Sequence, residues 1–269
     1  DYITCKLGMK KDGTLHSLRV DTMAWASGYL SRAMLAGSIT LVWGMGHYRC
    51  NNIDGSFQVV YTNTPLSGAM RGFGNPEVMW AVDQLMHEAA VKLGLDPVEV
   101  ALKNAKKPGE PSNMGGLPLE STYLEDCIKR GAEAIGWKEK YGKNKGGTGT
   151  KKRGVGMSTM THCSDGWPLL LAHSGAMIKF NEDGSVNLVC HPGSPGTHIW
   201  GSLAQVAAET IGIPVEDVHI SGMNTDVTVF DLGSHASRSM YVTGNAVKIA
   251  AQKAKKELLD YAAKMMVED

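Results

Sequence analysis

The sequence predicts an α+β fold of two lobes, each with a mixed or antiparallel sheet that has helices packed on one face. Runs of β-type residues flank turn signals at 11–13 and 182–184, which indicates two β-hairpins. Segments with apolar residues at three- and four-residue steps indicate amphipathic helices after each hairpin. Between them, residues 138–153 contain seven cations and four glycines but no aliphatic residue. We therefore predict lobes at residues 1–150 and 151–269.

The first lobe is expected to begin with strands. Two β-type runs within residues 2–25 predict the first hairpin, and residues 55–65 predict a short strand that ends at Pro65. Residues 29–48 are rich in Gly, Ala and Met and show no period that assigns them to a helix or a strand. This stretch therefore carries no prediction.

Three helices follow in the first lobe. The first is predicted from Asn75, as N-cap, through Pro76 in the first helical position to Gly94. Asp96 is predicted to cap the second helix, and the third is predicted within residues 121–137. The buried face of the first helix is predicted to contain Val78, Val82, Leu85, Met86, Ala89 and Leu93.

The second lobe reads as strand, strand, helix, strand, helix. Residues 175–193 predict a hairpin, and residues 202–212 predict a helix after a loop rich in Gly, Pro, Ser and Thr. Residues 215–221 predict a strand, and residues 244–266 predict a long amphipathic helix. This order is typical of an α+β lobe.

The composition excludes several classes of protein. Basic and acidic residues both number 27, so no net charge attracts nucleic acid or an anionic membrane. The sequence contains neither 18 consecutive apolar residues nor the layout of a signal peptide, and we expect a cytoplasmic protein. The five cysteines include no Cys-x-x-Cys pair and the nine histidines form no tight cluster, so we expect reduced, buried thiols and no metal bound directly by the protein.

The basic segment 138–153 has two interpretations. One is a contact with nucleic acid or polyphosphate, and the other is a solvated linker between the lobes. The second interpretation is favoured because the aromatic residues that single-strand binders place between cations are almost absent.

Three loops share one composition and each lies before a predicted helix: residues 67–77, 191–201 and 232–244. They consist largely of Gly, Ser, Thr and Ala, and the first and third contain an arginine. Small residues let backbone N–H groups approach a ligand, and a helix N-terminus adds unpaired donors with partial positive charge. Together the loops predict a site for a large, polar, phosphate-bearing ligand. The alternative is that they are turns and caps with no ligand.

Residues 61–104 resemble the molybdopterin-binding region of the xanthine dehydrogenase/aldehyde oxidase family of molybdenum hydroxylases. In that pattern a Thr-Asn segment leads through small residues to Arg-Gly-Phe/Tyr-Gly-x-Pro, then to a helix, Asp-Pro and Lys/Arg-Asn. Further similar segments follow in the same order at 153–157, 204–220, 225–228 and 234–247. The resemblance covers nearly the whole chain, and it implies the α+β lobes of the family's molybdenum-cofactor domains.

The resemblance also implies a role for residues in all three loops. Arg71 is expected to stabilise negative charge on the substrate or the cofactor, and Met70 and Phe73 are expected to line the substrate pocket. Arg238 has the alternative role of a structural ion-pair partner. The residues expected to bind the cofactor are Gly68, Ala69, Arg71, Gly72, Gly196, Thr197, His198, Ala236, Ser237 and Ser239.

The sequence departs from the family pattern in two respects. Many members carry Gly-Gln-Gly where alignment on Gln205 places Gly196, Thr197 and His198, so a glutamine bond to the cofactor does not carry over. The family's Gly-Gly-x-Phe-Gly loop and its general-base glutamate, in a Gly-x-Gly-Glu motif, have no counterpart, and no residue after Gly244 fits the glutamate. We therefore expect no turnover by this chain alone, and a companion chain or further parts of a parent chain that complete the molybdenum domain.

The implied cofactor is molybdopterin with molybdenum, in the cytosine dinucleotide form. An iron-sulfur subunit with a 2Fe-2S cluster and an FAD subunit are the implied partner chains. The expected reaction is oxidation, or reductive dehydroxylation, of an aromatic heterocycle, an aldehyde or an aromatic acyl compound, with water as the oxygen source. No nucleic acid or membrane is expected as a partner. The alternative is a non-catalytic scaffold or assembly module that kept the fold and lost the chemistry.

Overall fold

The computed structural model describes residues 2–111, 116–143, 149–162, 173–221 and 224–268. The chain divides into two compact units, Asp1–Thr161 and His162–Asp269. Each unit contains a three-stranded sheet with one antiparallel and one parallel strand pair, together with helices. The predicted α+β class with mixed sheets is therefore confirmed, and the lobe bounds near residue 150 stay a prediction.

The sheet of the first unit has the order β1 (Tyr2–Met9), β2 (Leu15–Ser27), β3 (Asn52–Tyr61). β1 and β2 form the predicted hairpin, whereas β3 pairs with β2 in parallel and ends before Pro65. Strand side chains alternate between the two faces of a sheet. The even-numbered residues of β2 from residue 18 to residue 26 are buried, because helices cover this face.

The stretch without a period forms α1 (Ala33–Gly46), which packs on β2 and β3. It contains three glycines and no charged residue, so it lacks the polar face that reveals an amphipathic helix. A Cβ at Gly44 would lie 2.3 Å from Cγ2 of Val78, which belongs to α2 (Asn75–Lys92). Glycine therefore allows the two helices to approach closely, at the expense of helix propensity.

The prediction of Asn75 as an N-cap is wrong, because Gly74 is the N-cap of α2 and Asn75 is its first residue. Asn75 is fully buried and its side-chain amide donates a hydrogen bond to the carbonyl oxygen of Thr161, so the side chain makes a tertiary contact and does not cap the helix. Leu93 follows the end of α2 and is exposed, against the prediction. The buried face of α2 includes the predicted Val78, Val82 and Met86, and also Met79, Asp83 and Ala90.

The predicted cap of α3 (Pro97–Asn104) is confirmed, because Oδ1 of Asp96 accepts a hydrogen bond from the backbone N–H of Val98 at 2.7 Å. The same carboxylate accepts a hydrogen bond from Nε1 of Trp137 at 3.1 Å. Trp137 begins α5 (Trp137–Lys140), directly after α4 (Leu124–Ile135). Asp96 therefore caps α3 and also binds the first residue of α5.

Asp96→Ala is expected to lower the free energy of unfolding by about 1–2 kcal/mol, because it removes the cap and the acceptor of a buried indole N–H. Urea denaturation followed by circular dichroism measures this change. Glu99→Ala, an exposed position in the first turn of the same helix, is the control and is expected to stay within about 0.5 kcal/mol of wild type. Equal losses in both variants would contradict the dual role of Asp96.

In the second unit, β4 (Ala176–Phe180) and β5 (Val186–Cys190) form the predicted hairpin, and β6 (Val218–Ser221) pairs with β5 in parallel. The helices α6 (Ile199–Ile211) and α7 (Gly244–Glu268) pack on each other; α6 also contacts β6, and α7 contacts β4. The core that they share with the sheet contains Leu188, Cys190, Ile199, Leu203, Ala207, Val218 and Val247.

Three predictions need correction in detail. The strand predicted at 215–221 begins as a 3-10 turn, Val215–Asp217, so the strand itself is shorter. The basic segment 138–153 begins inside α5, and its residues 144–148 lie outside the described residues. Of the cysteines, Cys190 is buried, Cys5 and Cys50 are half-buried, Cys127 is exposed and Cys163 lies outside the described residues.

Among the described residues, no helix combines the length and the apolar character needed to cross a membrane.

Candidate functional site

The arginine loop, residues 67–74, makes a strained turn immediately before α2. Gly72, Phe73 and Gly74 have φ angles of 101°, 55° and 88°, all in the left-handed region. Glycine adopts this region freely, whereas Phe73 does so at a cost of about 1–3 kcal/mol. Such strain is typical of functional sites, where the surrounding structure holds the backbone in place.

The arginine loop presents its cation to solvent. Arg71 is exposed, and within the part of the chain that the structure describes its guanidinium makes no hydrogen bond or ion pair. Backbone hydrogen bonds close the turn, from the N–H of Phe73 to the oxygen of Met70 at 2.8 Å and from the N–H of Asn75 to the oxygen of Gly72 at 3.1 Å. Because a guanidinium stays charged in proteins, the loop carries a permanent positive charge.

Gly74 lies against α1, where a Cβ would be 1.9 Å from Oγ1 of Thr40. Gly74→Ala is expected to lower the free energy of unfolding by about 1–3 kcal/mol, because the methyl group clashes with Thr40 and alanine resists a φ of 88°. Gly68→Ala is the control for stability, since no atom lies within 4 Å of its Cβ and its φ is not left-handed. Thermal unfolding of both variants measures the difference, and similar shifts would contradict this account of Gly74.

The second predicted loop leads into α6. Gly196 and His198 have left-handed φ angles of 89° and 53°, and Gly196, Thr197 and His198 are exposed. His198 is the N-cap of α6, but its side chain makes no capping hydrogen bond. Its ring lies over Gly201, where a Cβ would be 2.3 Å from Nε2 of the histidine. The first N–H groups of α6 therefore receive no acceptor from the cap side chain.

The third loop has two successive strained residues. Ala236 and Ser237 have φ angles of 50° and 54°. Ser237 is exposed and Ala236 is half-buried, whereas the next residue, Arg238, is fully buried. The loop therefore has an exposed part at Ser237 and a fully buried side chain at Arg238.

Arg238 is the structural ion-pair partner that the sequence offered as an alternative. Nη1 of Arg238 lies 2.9 Å from Oδ1 of Asp231, and both side chains are buried. The guanidinium also donates hydrogen bonds to the carbonyl oxygens of Gly233 and His173. Oδ2 of Asp231 accepts a hydrogen bond from the hydroxyl of Ser174 at 2.5 Å. The pair thus ties the strained loop to distant parts of the second unit.

Burial acts to raise the pKa of Asp231, but hydrogen bonds from Ser174 and Gly233 and the charge of Arg238 outweigh it, so the pKa lies below its ordinary value. A carboxyl with a lowered pKa stabilises the fold above its unfolded-state pKa of about 3.9. This contribution is lost as the pH falls through the lower folded-state pKa. We expect the free energy of unfolding of the wild type to fall below about pH 4, and to fall less steeply in Asp231→Asn. Urea titrations at several pH values measure both slopes, and equal slopes would contradict the assignment.

The two loops of the second unit lie side by side. The hydroxyl of Ser234 donates to the carbonyl oxygen of Gly193 and lies 2.8 Å from the hydroxyl of Ser239. Nε1 of Trp200, in the first turn of α6, donates to the carbonyl oxygen of Pro192 at 3.0 Å. Small residues that are far apart in sequence therefore share one surface in this unit.

These loops fit an anionic ligand that carries phosphate groups. The helices that follow the first and second loops, α2 and α6, begin without a side-chain cap, as do α1 and α4, so the small-residue loops before α2 and α6 are what distinguish them. Uncapped N–H groups and the positive end of the helix dipole bind phosphate, and the exposed guanidinium of Arg71 adds a full charge. Taken one at a time, these loops offer donors that suit the phosphate-bearing pterin molybdopterin. Among the described residues, no group of three or more His, Cys, Asp and Glu side chains is placed to hold a metal ion.

The structure places all the predicted site residues at or near the surface. Residues 68–73 belong to the first unit and the others to the second unit. The exposed ones are Gly68, Ala69, Met70, Arg71, Gly196, Thr197, His198 and Ser237, and the half-buried ones are Gly72, Phe73, Ala236 and Ser239. Their contacts with a cofactor or a substrate stay predictions.

Two buried carboxylates behind these loops, Asp83 and Asp231, were missed by sequence reasoning. Asp83 follows Val82 on the apolar face of α2, and an acidic residue at such a position is a signal of a buried polar contact. Asp231 precedes Arg238 by seven residues, but nothing in the local sequence shows that the pair is buried.

Comparisons with known proteins identify the family to which the chain belongs. A family model described as a molybdopterin cofactor-binding domain matches residues 1–105, and a second model with the same description matches residues 130–269. The chain is 34% identical over 265 residues to the xanthine dehydrogenase molybdenum-binding subunit of Escherichia coli O157:H7, over 97% of this chain and 35% of that protein. It is 31% identical over 261 residues to the aldehyde oxidoreductase of Megalodesulfovibrio gigas, over 92% of this chain and 27% of that protein.

Solved structures show the same fold. The aldehyde oxidoreductase from Desulfovibrio gigas matches with a TM-score of 0.78 and 29% identity, over 93% of this chain and 28% of that chain. A Cu,Mo-CO dehydrogenase matches in fold with a TM-score of 0.80 at 23% identity, over 98% of this chain and 36% of that chain. The fold is thus that of a molybdenum-cofactor domain. The chain belongs to the molybdopterin cofactor-binding domain family, in the xanthine dehydrogenase/aldehyde oxidase group, and it spans about a third of the length of the relatives named here.

Proposed function

We propose that this chain supplies part of the molybdenum-cofactor site of a multi-chain oxidoreductase. The observation that carries the proposal is that small-residue loops with left-handed backbone precede α2 and α6, and that the first of them presents the exposed Arg71. Such loops attract anionic ligands with phosphate groups. The family to which the chain belongs supports molybdopterin as that ligand.

Residues of all three loops are proposed to bind the cofactor. The backbone at 68–72 and at 196–198, together with that at 236–239, would hold the pterin and the phosphates of a cytosine dinucleotide form. The glycines and alanines there keep side chains away from the ligand. When bound, the cofactor supplies two-electron oxidation or reduction at a substrate carbon, with water as the oxygen source.

Arg71, Met70 and Phe73 are proposed to face the substrate. The guanidinium of Arg71 would stabilise negative charge that develops on the substrate or resides on the cofactor. The half-buried ring of Phe73 offers a flat surface on which a planar compound can stack, and Met70 is exposed beside it. Aromatic heterocycles, aldehydes and aromatic acyl compounds are the proposed substrate classes.

Catalysis is proposed to need a residue that this sequence does not contain. The general-base glutamate of the family pattern has no counterpart in this sequence, so a companion chain or further parts of a parent chain would supply it and complete the molybdenum domain. An iron-sulfur subunit and an FAD subunit would carry electrons away. We expect the isolated chain to be inactive.

A non-catalytic scaffold is the second candidate. The feature that favours it is the Gly196-Thr197-His198 segment, which replaces the glutamine of many family members. The exposed Arg71 is evidence against a scaffold, because a scaffold has no need of an exposed cation on a strained loop.

Purification of the tagged chain with its natural partners separates the two candidates. Native mass spectrometry of the complex is expected to show companion chains and the mass of a molybdopterin dinucleotide, and the absorption spectrum is expected to show iron-sulfur and flavin bands. A colourless complex without cofactor mass would support the scaffold and defeat the proposal.

A further inference from the structure

A short segment distant in sequence supports the arginine loop from inside the first unit. This segment, residues 158–161, is here called the strap. Asn75, the first residue of α2, donates a hydrogen bond from Nδ2 to the carbonyl oxygen of Thr161 at 2.5 Å. The two residues are 86 positions apart, and Asn75 is fully buried.

The strap is fixed at its other end by Asp83, which is buried on α2. The carboxylate accepts hydrogen bonds from the hydroxyl of Ser158 at 2.6 Å and from the backbone N–H of Thr159 at 2.7 Å. It also accepts one from the hydroxyl of Tyr48 at 2.5 Å. A buried carboxylate is strongly destabilising without such donors. Release of the strap would remove two of the donors to Asp83, so the strap stays bound to it.

His47, at the end of α1, binds the middle of the strap. Its Nε2 lies 2.6 Å from Oγ1 of Thr159, and its Nδ1 lies 3.3 Å from Oγ1 of Thr161. Burial lowers the pKa of His47 and raises the pKa of the neighbouring Tyr48, so both side chains remain neutral partners in this network. The strap is therefore bound by side chains from α2 and from the end of α1, and α1 also lies against Gly74 of the arginine loop.

The backbone of the arginine loop needs support from the strap, because the side chain of Arg71 does not fix the loop in place. Within the described residues Arg71 makes no contact by hydrogen bond or ion pair, so the position of its guanidinium follows from the backbone of the loop. That backbone leads directly into Asn75, whose N–H donates to the carbonyl oxygen of Gly72 at 3.1 Å. A side chain that fixes Asn75 therefore also fixes the strained residues before it.

We propose that the strap positions Arg71 through its hydrogen bonds with Asn75, Asp83 and His47. This set of hydrogen bonds is here called the clamp. Asn75 and Asp83 are positioning residues that act through the loop and do not touch a ligand. The inference rests on the proposed function in one respect only, which is the identity of the ligand that the guanidinium of Arg71 contacts.

Amide hydrogen exchange of the full chain tests the clamp without any cofactor. In Asn75→Ala, exchange of the peptide covering residues 66–78 is expected to accelerate about tenfold or more, because the loop opens locally. Thr159→Val, which removes the hydroxyl that contacts His47 with little change in shape, is expected to have the same effect in smaller measure. This second variant keeps the test decisive if Asn75→Ala fails to fold.

Asn104→Ala is the matched control. Asn104 is also a buried amide of the first unit, with hydrogen bonds to Gly13, Leu15 and Val100. Its loss is expected to destabilise the unit near α3 without selective opening of residues 66–78. The clamp is overturned if the variants of the strap contacts leave exchange at 66–78 within about twofold of wild type, or if Asn104→Ala accelerates it equally.

A double-mutant cycle in the assembled enzyme connects the clamp with Arg71. Asn75→Ala is expected to lower turnover in the wild-type background and to have no further effect in the Arg71→Ala background. Independent, additive effects would contradict a positioning role. Absence of a cofactor from the complex would defeat the proposed function but leave the exchange result valid, so the two failures are distinguishable.

Discussion

Arg238→Ala is expected to lower the free energy of unfolding by about 3–5 kcal/mol, because it leaves the buried carboxylate of Asp231 without its charged partner. The guanidinium also satisfies the carbonyl oxygens of Gly233 and His173, so its loss leaves further polar groups unpaired. Arg238→Lys is expected to recover part of this loss, since an ammonium group keeps the charge but not the planar fork that reaches several oxygens. Urea denaturation of the two variants measures both effects.

Arg19→Ala is the control for this prediction. Arg19 also contacts carboxylates, those of Asp21 and Asp54, but its side chain is half exposed on the open face of the first sheet. Solvent weakens such exposed pairs, so the expected loss is much smaller than that for Arg238→Ala. A loss for Arg238→Ala no larger than that for Arg19→Ala would show that the buried pair is not the anchor of the third loop.

Arg71→Ala is expected to lower kcat/KM of the assembled enzyme by about 10²–10³-fold, the usual effect of removing one group that stabilises charge in a transition state. Cofactor content is expected to change little, because several backbone groups also hold the pterin in our proposal. Arg71→Lys is expected to restore part of the activity, because it keeps the charge but loses the bidentate geometry.

Arg32→Ala is the matched control for Arg71. Arg32 is another exposed arginine of the first unit, at the start of α1 and outside the three loops. Steady-state kinetics of this variant are expected to equal those of the wild type. If Arg71→Ala kept full activity at unchanged cofactor content, the role proposed for its guanidinium would be wrong.

Local features of the fold were predictable from the sequence. The hairpin of β4 and β5 alternates around a tight turn, and Asp96 stands directly before Pro97 at the start of α3. In both cases neighbouring residues determine the structure, so periodicity and capping rules suffice. The arginine loop was recognisable for the same reason, because its glycines are adjacent to the residue that they expose.

Features that depend on distant contacts were not predictable. α1 has no polar face, and its Gly44 makes sense only beside Val78. Asn75 follows the rules for an N-cap, but its side chain is taken by Thr161, which lies far along the chain. The burial of Asp231 likewise results from Ser174 and other residues outside its own segment. Sequence thus indicated where a ligand is expected, and the structure revealed what supports those loops.

Elemental analysis of the native complex shows whether these loops hold a molybdenum-bearing pterin. The complex, purified with its partner chains from cells supplied with molybdenum, is expected to contain molybdenum and organic phosphate in stoichiometric amounts relative to this chain. Intact complex with all partner chains present but without molybdenum would contradict the account.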